Sequence, residues 1–68
     1  MKKATGTITK MNGRFAATLP EAQYLISNPG QVVRLNLYVG DNAEFEYHPQ
    51  DQFAALVVKE YHESKISN

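Results

Sequence analysis

Apolar and polar residues alternate with a period of two along most of this chain. Turn-forming residues interrupt the alternation at short intervals: Asn12-Gly13, Asn28-Pro29-Gly30, Gly40-Asp41-Asn42 and His48-Pro49-Gln50-Asp51. A period of two places successive side chains on opposite faces of a strand, so the pattern predicts several short strands. The first runs from Ala4 to Met11, where Thr5, Thr7 and Thr9 alternate with Gly6 and Ile8. Branching at Cβ favours a pleated surface. Asn12-Gly13 is a strong short-range hairpin signal and leads into a second strand, Arg14 to Leu19, with Phe15, Ala17 and Leu19 on one face. Pro20 ends that strand because it has no N–H for the ladder.

Residues 20–39 allow two strand assignments. Tyr24-Leu25-Ile26 reads as a short strand, and Gln31 to Val39 alternates as well, with Val33, Leu35, Leu37 and Val39 on one face. A turn at Asn28-Pro29-Gly30 would join them as a hairpin. A helix over 21–27, started by Pro20 with Glu21 in its first turn, is the other option. Beyond this stretch, Asn42 to His48 puts Ala43, Phe45 and Tyr47 on one face and Glu44, Glu46 and His48 on the other. Phe53 to Tyr61 puts Ala54, Leu56 and Val58 together. Residues 62–68 are polar and read as a frayed tail.

Five or six short alternating segments with no convincing helix predict an all-β fold, a small five-stranded barrel of the OB-like kind, with an SH3-like barrel as the structural rival. The 68 residues suffice for one domain, 1–68. A chain this short buries only roughly 60% of its unfolded surface. It has no cysteine, hence no disulfide and no thiolate metal site. No apolar run approaches the ~20 residues of a bilayer span, and the basic start Met1-Lys2-Lys3 lacks a signal-peptide core. A cytoplasmic protein without a membrane partner is expected.

The net charge is zero, which argues against strong nonspecific binding to nucleic acid, but the charges are unevenly placed. Residues 1–20 carry Lys2, Lys3, Lys10 and Arg14 without an acid, a total of +4. Residues 41–68 carry six acids against Lys59 and Lys65, a total of −4. In a closed barrel the two ends either form separate faces, one of them attractive to phosphate, or neutralise each other across adjacent strands.

Two families share features with these segments. The run Gly6-Thr7-Ile8-Thr9-Lys10-Met11-Asn12, then Gly40, Ala43-Glu44-Phe45 and Ala54-Ala55-Leu56-Val57-Val58, resembles cold-shock domains, OB barrels that bind single-stranded nucleic acid. The likeness spans about two thirds of the chain through motifs that are individually unspecific. Its binding motifs are reduced. Lys10 stands at the exposed tryptophan position, and Arg14-Phe15-Ala16-Ala17 replaces Gly-Phe-Gly-Phe, so one aromatic of two remains. Tyr24-Leu25-Ile26-Ser27 is the nearest run to Phe-Val-His-Phe and lacks the histidine. Bacterial initiation factor one, another small OB protein, is similar at Gly6-Thr7-Ile8, Asn12-Gly13-Arg14-Phe15, Gly30-Gln31-Val32-Val33 and Gly40-Asp41-Asn42-Ala43. On that alignment residues 20–29 are an insertion, and the helix after the third strand has no counterpart.

The cold-shock resemblance implies weak binding of single-stranded RNA or DNA. Lys10, Arg14 and Phe15 would be the surviving patch, with Tyr24 as a further stacking group. Each residue also has a structural explanation. Phe15 is either a stacking platform or a core side chain, and Lys10 and Arg14 either contact phosphate or are solvated hairpin charges. Tyr24 and Tyr38 suit nucleic-acid and protein interfaces alike. The alternative function is a protein-interaction module, with a protein partner or as a homodimer, that has lost nucleic-acid binding. His48 and His62 have no ligand spacing around them, and no nucleophile–base pair or phosphate-cradling loop is present. A non-enzyme without metal or cofactor is expected.

Overall fold

A computed structural model describes residues 1–58, which form a closed five-stranded barrel with one short helix. The elements are β1 (Lys2–Met11), β2 (Arg14–Thr18), β3 (Gln23–Ile26), α1 (Pro29–Arg34), β4 (Asn42–Tyr47) and β5 (Phe53–Leu56). The strands run β1-β2-β3-β5-β4 around the barrel. All pairings are antiparallel except β3 with β5. This order, with a helix between β3 and β4, is compatible with an OB-like barrel.

β1 closes the barrel because it is long enough to serve two neighbours. Its first part pairs with β4 from Lys2↔Tyr47 to Thr7↔Asn42, and its second part with β2 from Thr7↔Thr18 to Met11↔Arg14. Gly6 sits at this changeover. A Cβ there would lie 2.5 Å from Leu19 Cδ2 and 2.8 Å from the Thr18 carbonyl oxygen, so glycine is what lets β1 approach β2 so closely. Asn12 and Gly13 have φ of 54° and 80°, both positive as a type I′ hairpin turn requires.

The core follows the alternation. Ile8, Ala17, Leu19, Tyr24, Ile26, Val32, Phe45, Tyr47, Ala54 and Leu56 form one buried cluster. Ala16 is buried as well, on the outer side of β2 between Thr9 and Leu25.

Between β3 and β4 the structure corrects the expected strand over Gln31 to Val39 and its hairpin. Pro29–Arg34 is helical. Proline at the first helical position presets φ, and its missing N–H would have had no helical partner. The helix stops after six residues in a Schellman motif. Asn36 takes the left-handed conformation at φ 57°, its N–H donates to the Val33 carbonyl, and the Leu37 N–H donates to the Val32 carbonyl at 2.9 Å. Val32 is fully buried and Leu37 packs against the core, which is the apolar contact that accompanies such a cap. The apparent face of Val33, Leu35 and Val39 is therefore solvent-exposed instead. The alternative helix over 21–27 is also absent, since Gln23–Ile26 is strand. The helix that does form covers Gly30-Gln31-Val32-Val33, the run that the initiation-factor likeness takes as a strand. β5 ends at Leu56, earlier than Tyr61, and Val58 is half-exposed. The expected end of that strand at 59–61 and the tail 62–68, with His62, lie outside the described residues.

Candidate nucleic-acid interface

The four N-terminal cations separate into two kinds. Lys2 Nζ pairs with Glu21 at 2.6 Å, and Lys3 Nζ pairs with Glu46, its partner across the β1–β4 ladder, at 3.7 Å. Neutralisation across adjacent strands therefore holds for Lys3, while Lys2 is paired by Glu21 in the turn after β2. Lys10 and Arg14, at the β1–β2 hairpin, have no acidic partner among the described residues. Lys2 and Lys10 are eight positions apart, roughly 26 Å of strand at 3.3 Å per residue, so no continuous basic stripe forms.

Beside this hairpin lies an open groove of about 270 Å³, lined by Arg14, Phe15, Ile26, Ser27, Pro29 and Phe53. Register explains why residues so distant in sequence meet there. Thr9, Ala16, Leu25 and Phe53 form one cross-strand row over β1, β2, β3 and β5, and Arg14 shares the outer side of β2 with Ala16. Phe53 ends that row, lines the groove and is 43% exposed. Phe15 comes from the inner side of β2. It is half-buried, packs against the core and carries the Lys10 ammonium over its ring, 5.1 Å from the centroid.

The polar groups near the groove are mostly engaged. Asn28 donates its amide to the Leu56 carbonyl at 3.0 Å and accepts the Leu56 N–H at 2.8 Å, extending the parallel β3–β5 pairing by one step. Ser27 Oγ lies 3.4 Å from the Ala54 carbonyl.

Of the residues singled out by sequence, Lys10, Arg14 and Phe15 are brought together at the hairpin. Tyr24 is not with them. It is 2% exposed, its ring lies 5.1 Å from that of Tyr47, and its hydroxyl donates to the Pro49 carbonyl at 2.8 Å. No face of that ring is open to a base, so Tyr24 as a stacking group gives way to Tyr24 as a core residue. Ala17, at the second aromatic position of the cold-shock motif, also faces the core. The residue missed by sequence is Phe53. Its signal was its parity, opposite to the buried Ala54 and Leu56 on β5.

Away from the groove, Glu21 accepts hydrogen bonds from Lys2 and from the Tyr47 hydroxyl. The Lys2 hydrogen bond, then that of Tyr47, holds the Glu21 carboxyl below the usual carboxylate range. The hydrogen bond to Glu21 raises Lys2 and pushes the Tyr47 phenol up to about 12. This cluster ties the turn after β2 to β1 and β4. Among the described residues there is no grouping of three or more potential metal ligands, and no helix long and apolar enough to cross a membrane.

No family model matches this chain, and no significant match is found among curated proteins or solved structures.

Proposed function

We propose that this barrel binds single-stranded RNA or DNA weakly, in the groove beside the β1–β2 hairpin. The observation that carries the reading is the conjunction of two cations without acidic partners, Lys10 and Arg14, and a groove bearing the exposed Phe53. The groove lies on the β2–β3 side, the side that OB barrels use for oligonucleotides. In this reading Lys10 and Arg14 hold phosphates, Phe53 stacks on a base, and Phe15 supplies an apolar wall under Lys10.

The test is fluorescence anisotropy with labelled single-stranded DNA and RNA at low and at physiological salt, on the wild type and on Phe53→Ala. Binding that weakens with salt, and that falls about fivefold or more in Phe53→Ala, is the expected result, since a base–aromatic stack contributes roughly 1–3 kcal/mol. A folded protein that binds neither polymer at low salt would refute the reading.

The second reading, a protein-interaction module, is favoured by a different observation. Val33, Leu35, Tyr38 and Val39 are 66%, 41%, 70% and 56% exposed, four apolar side chains concentrated in residues 33–39. Light scattering gives its first discrimination, because a dimer lost in Val33→Ser/Tyr38→Ser would assign these residues to self-association.

A further inference from the structure

We propose that the groove selects purines over pyrimidines, by ring area and without reading base edges. The inference rests on the nucleic-acid reading above and names the class of base that the same site prefers.

The lining of the groove is apolar but for two side chains. Phe15, Ile26, Pro29 and Phe53 supply hydrocarbon, and Arg14 and Ser27 supply the polar groups. Base edges are told apart by fixed patterns of donors and acceptors. A serine hydroxyl both donates and accepts, so it suits any base. The Ser27 hydroxyl also leans on the Ala54 carbonyl at 3.4 Å, the same carbonyl that takes the Ser27 N–H at 2.9 Å. The Arg14 guanidinium serves phosphate in this reading.

A side-chain amide next to the groove is closed. Asn28 lies between the lining residues Ser27 and Pro29, and a free amide there would have the fork that matches adenine. Both arms of that fork are taken by one residue of β5. Its amide donates to the Leu56 carbonyl at 3.0 Å and its oxygen accepts the Leu56 N–H at 2.8 Å.

What remains to separate one base from another is area. Phosphate contacts do not enter the choice, because every nucleotide brings the same phosphate. A pyrimidine stacked on Phe53 offers one ring. The second ring of a purine adds surface, and Ile26 and Pro29 line the same groove as Phe53 and can cover it. The gain from apolar contact grows with the area removed from water. Where stacking holds the bases, preference among them follows the strength of the stack.

The experiment uses four labelled single-stranded DNAs of equal length, in each of which one kind of base alternates with abasic sites. Neighbouring bases then cannot stack on one another and hide the difference. Each strand is titrated at low salt with the full chain, as wild type, Phe53→Trp and Phe53→Leu. The adenine and guanine strands should bind alike, and about fivefold tighter than the cytosine and thymine strands. The difference should widen in Phe53→Trp and fall below about twofold in Phe53→Leu. Pyrimidine strands that bind as tightly as purine strands would overturn the preference. A guanine strand more than about tenfold tighter than the adenine strand would place Arg14 on the guanine edge and overturn selection by area. Binding of ordinary oligonucleotides without binding of any alternating strand would show that the groove does not hold single bases, and would overturn it as well. All three results leave nucleic-acid binding in place. Absence of binding to every strand, ordinary ones included, would remove nucleic-acid binding and the preference together.

Discussion

The ammonium group of Lys10 lies 5.1 Å from the centroid of the Phe15 ring, and the two residues are direct partners across the β1–β2 hairpin. The ring packs against the core while the cation lies over it, so the pair joins the barrel's stability to the charge at the hairpin. Truncation separates the two roles. Phe15→Ala should lose about 2 kcal/mol, less than the ~3–5 kcal/mol of a fully buried phenylalanine because the ring is only half-buried. Lys10→Ala should lose at most about 1 kcal/mol, the range of an exposed cation–π contact. Urea unfolding midpoints check both. A Phe15→Ala variant within about 0.5 kcal/mol of wild type would mean that the ring does not support the core.

Gly6 makes a stronger demand. An added Cβ would meet both a movable side-chain methyl of Leu19 and the immovable backbone oxygen of Thr18. Leu19 can rotate away, but Thr18 belongs to the β1–β2 ladder through its pairing with Thr7. Gly6→Ala should therefore cost about 2 kcal/mol or more, as overpacking with backbone displacement does. In a domain of this size that lowers Tm by roughly 10 °C. Thermal unfolding followed by circular dichroism measures it. A Tm equal to that of wild type would show that β1 has room to move off β2.

These two residues also mark how far the sequence could be read. Strands and core were legible wherever a period of two met a turn with its own chemistry, as at Ile8, Asn12-Gly13 and Phe45. The stretch after β3 was not. Val32 to Val39 alternates as a strand does, but the local signals oppose that pattern: Pro29 starts a helix, and Asn36 accepts the left-handed conformation that stops it. Burial of Val32 and Leu37 around that cap outweighed the β preference of the valines. In the candidate site, Lys10, Arg14 and Phe15 were visible because the hairpin makes them neighbours. Phe53 was hidden, because only the parallel pairing of β3 with β5 brings it beside them. Tyr24 misled for the converse reason. A tyrosine in a short run gives no sign of its parity until its partners, Ala17 and the Pro49 carbonyl, are known.

Asn28 stands where the β3–β5 pairing would otherwise end. Its side-chain amide satisfies both the N–H and the carbonyl of Leu56, whose side chain is in the core. Asn28→Ala leaves two backbone groups without these partners, and a loss of about 1–3 kcal/mol is expected. Hydrogen exchange resolves the cause. The Leu56 amide should lose protection more than amides of β1 and β2 do in the same variant. Uniform loss across the barrel would assign the effect to global destabilisation alone.

Glu21 makes the stability of the barrel depend on pH in a way that can be assigned to one cluster. Its carboxyl is held below the usual range, first by the Lys2 hydrogen bond and then by that of Tyr47. A depressed acid contributes stability that is fully present above its unfolded value of about 4.3 and is lost as pH falls through the lower folded value. Lys2 and Tyr47 are raised by the same carboxylate, Tyr47 to about 12. Their contribution is fully present below the unfolded values of about 10 and is lost as pH rises through the raised ones. The difference in Tm between wild type and Glu21→Gln should therefore be largest between about pH 5 and 9 and shrink on both sides. Tyr47→Phe should retain part of the acid-side loss, because Lys2 still holds the carboxylate. Taking the difference removes the pH dependence that both proteins share. A difference that did not vary with pH would mean that Glu21 acts through its shape, as glutamine can, and not through its charge.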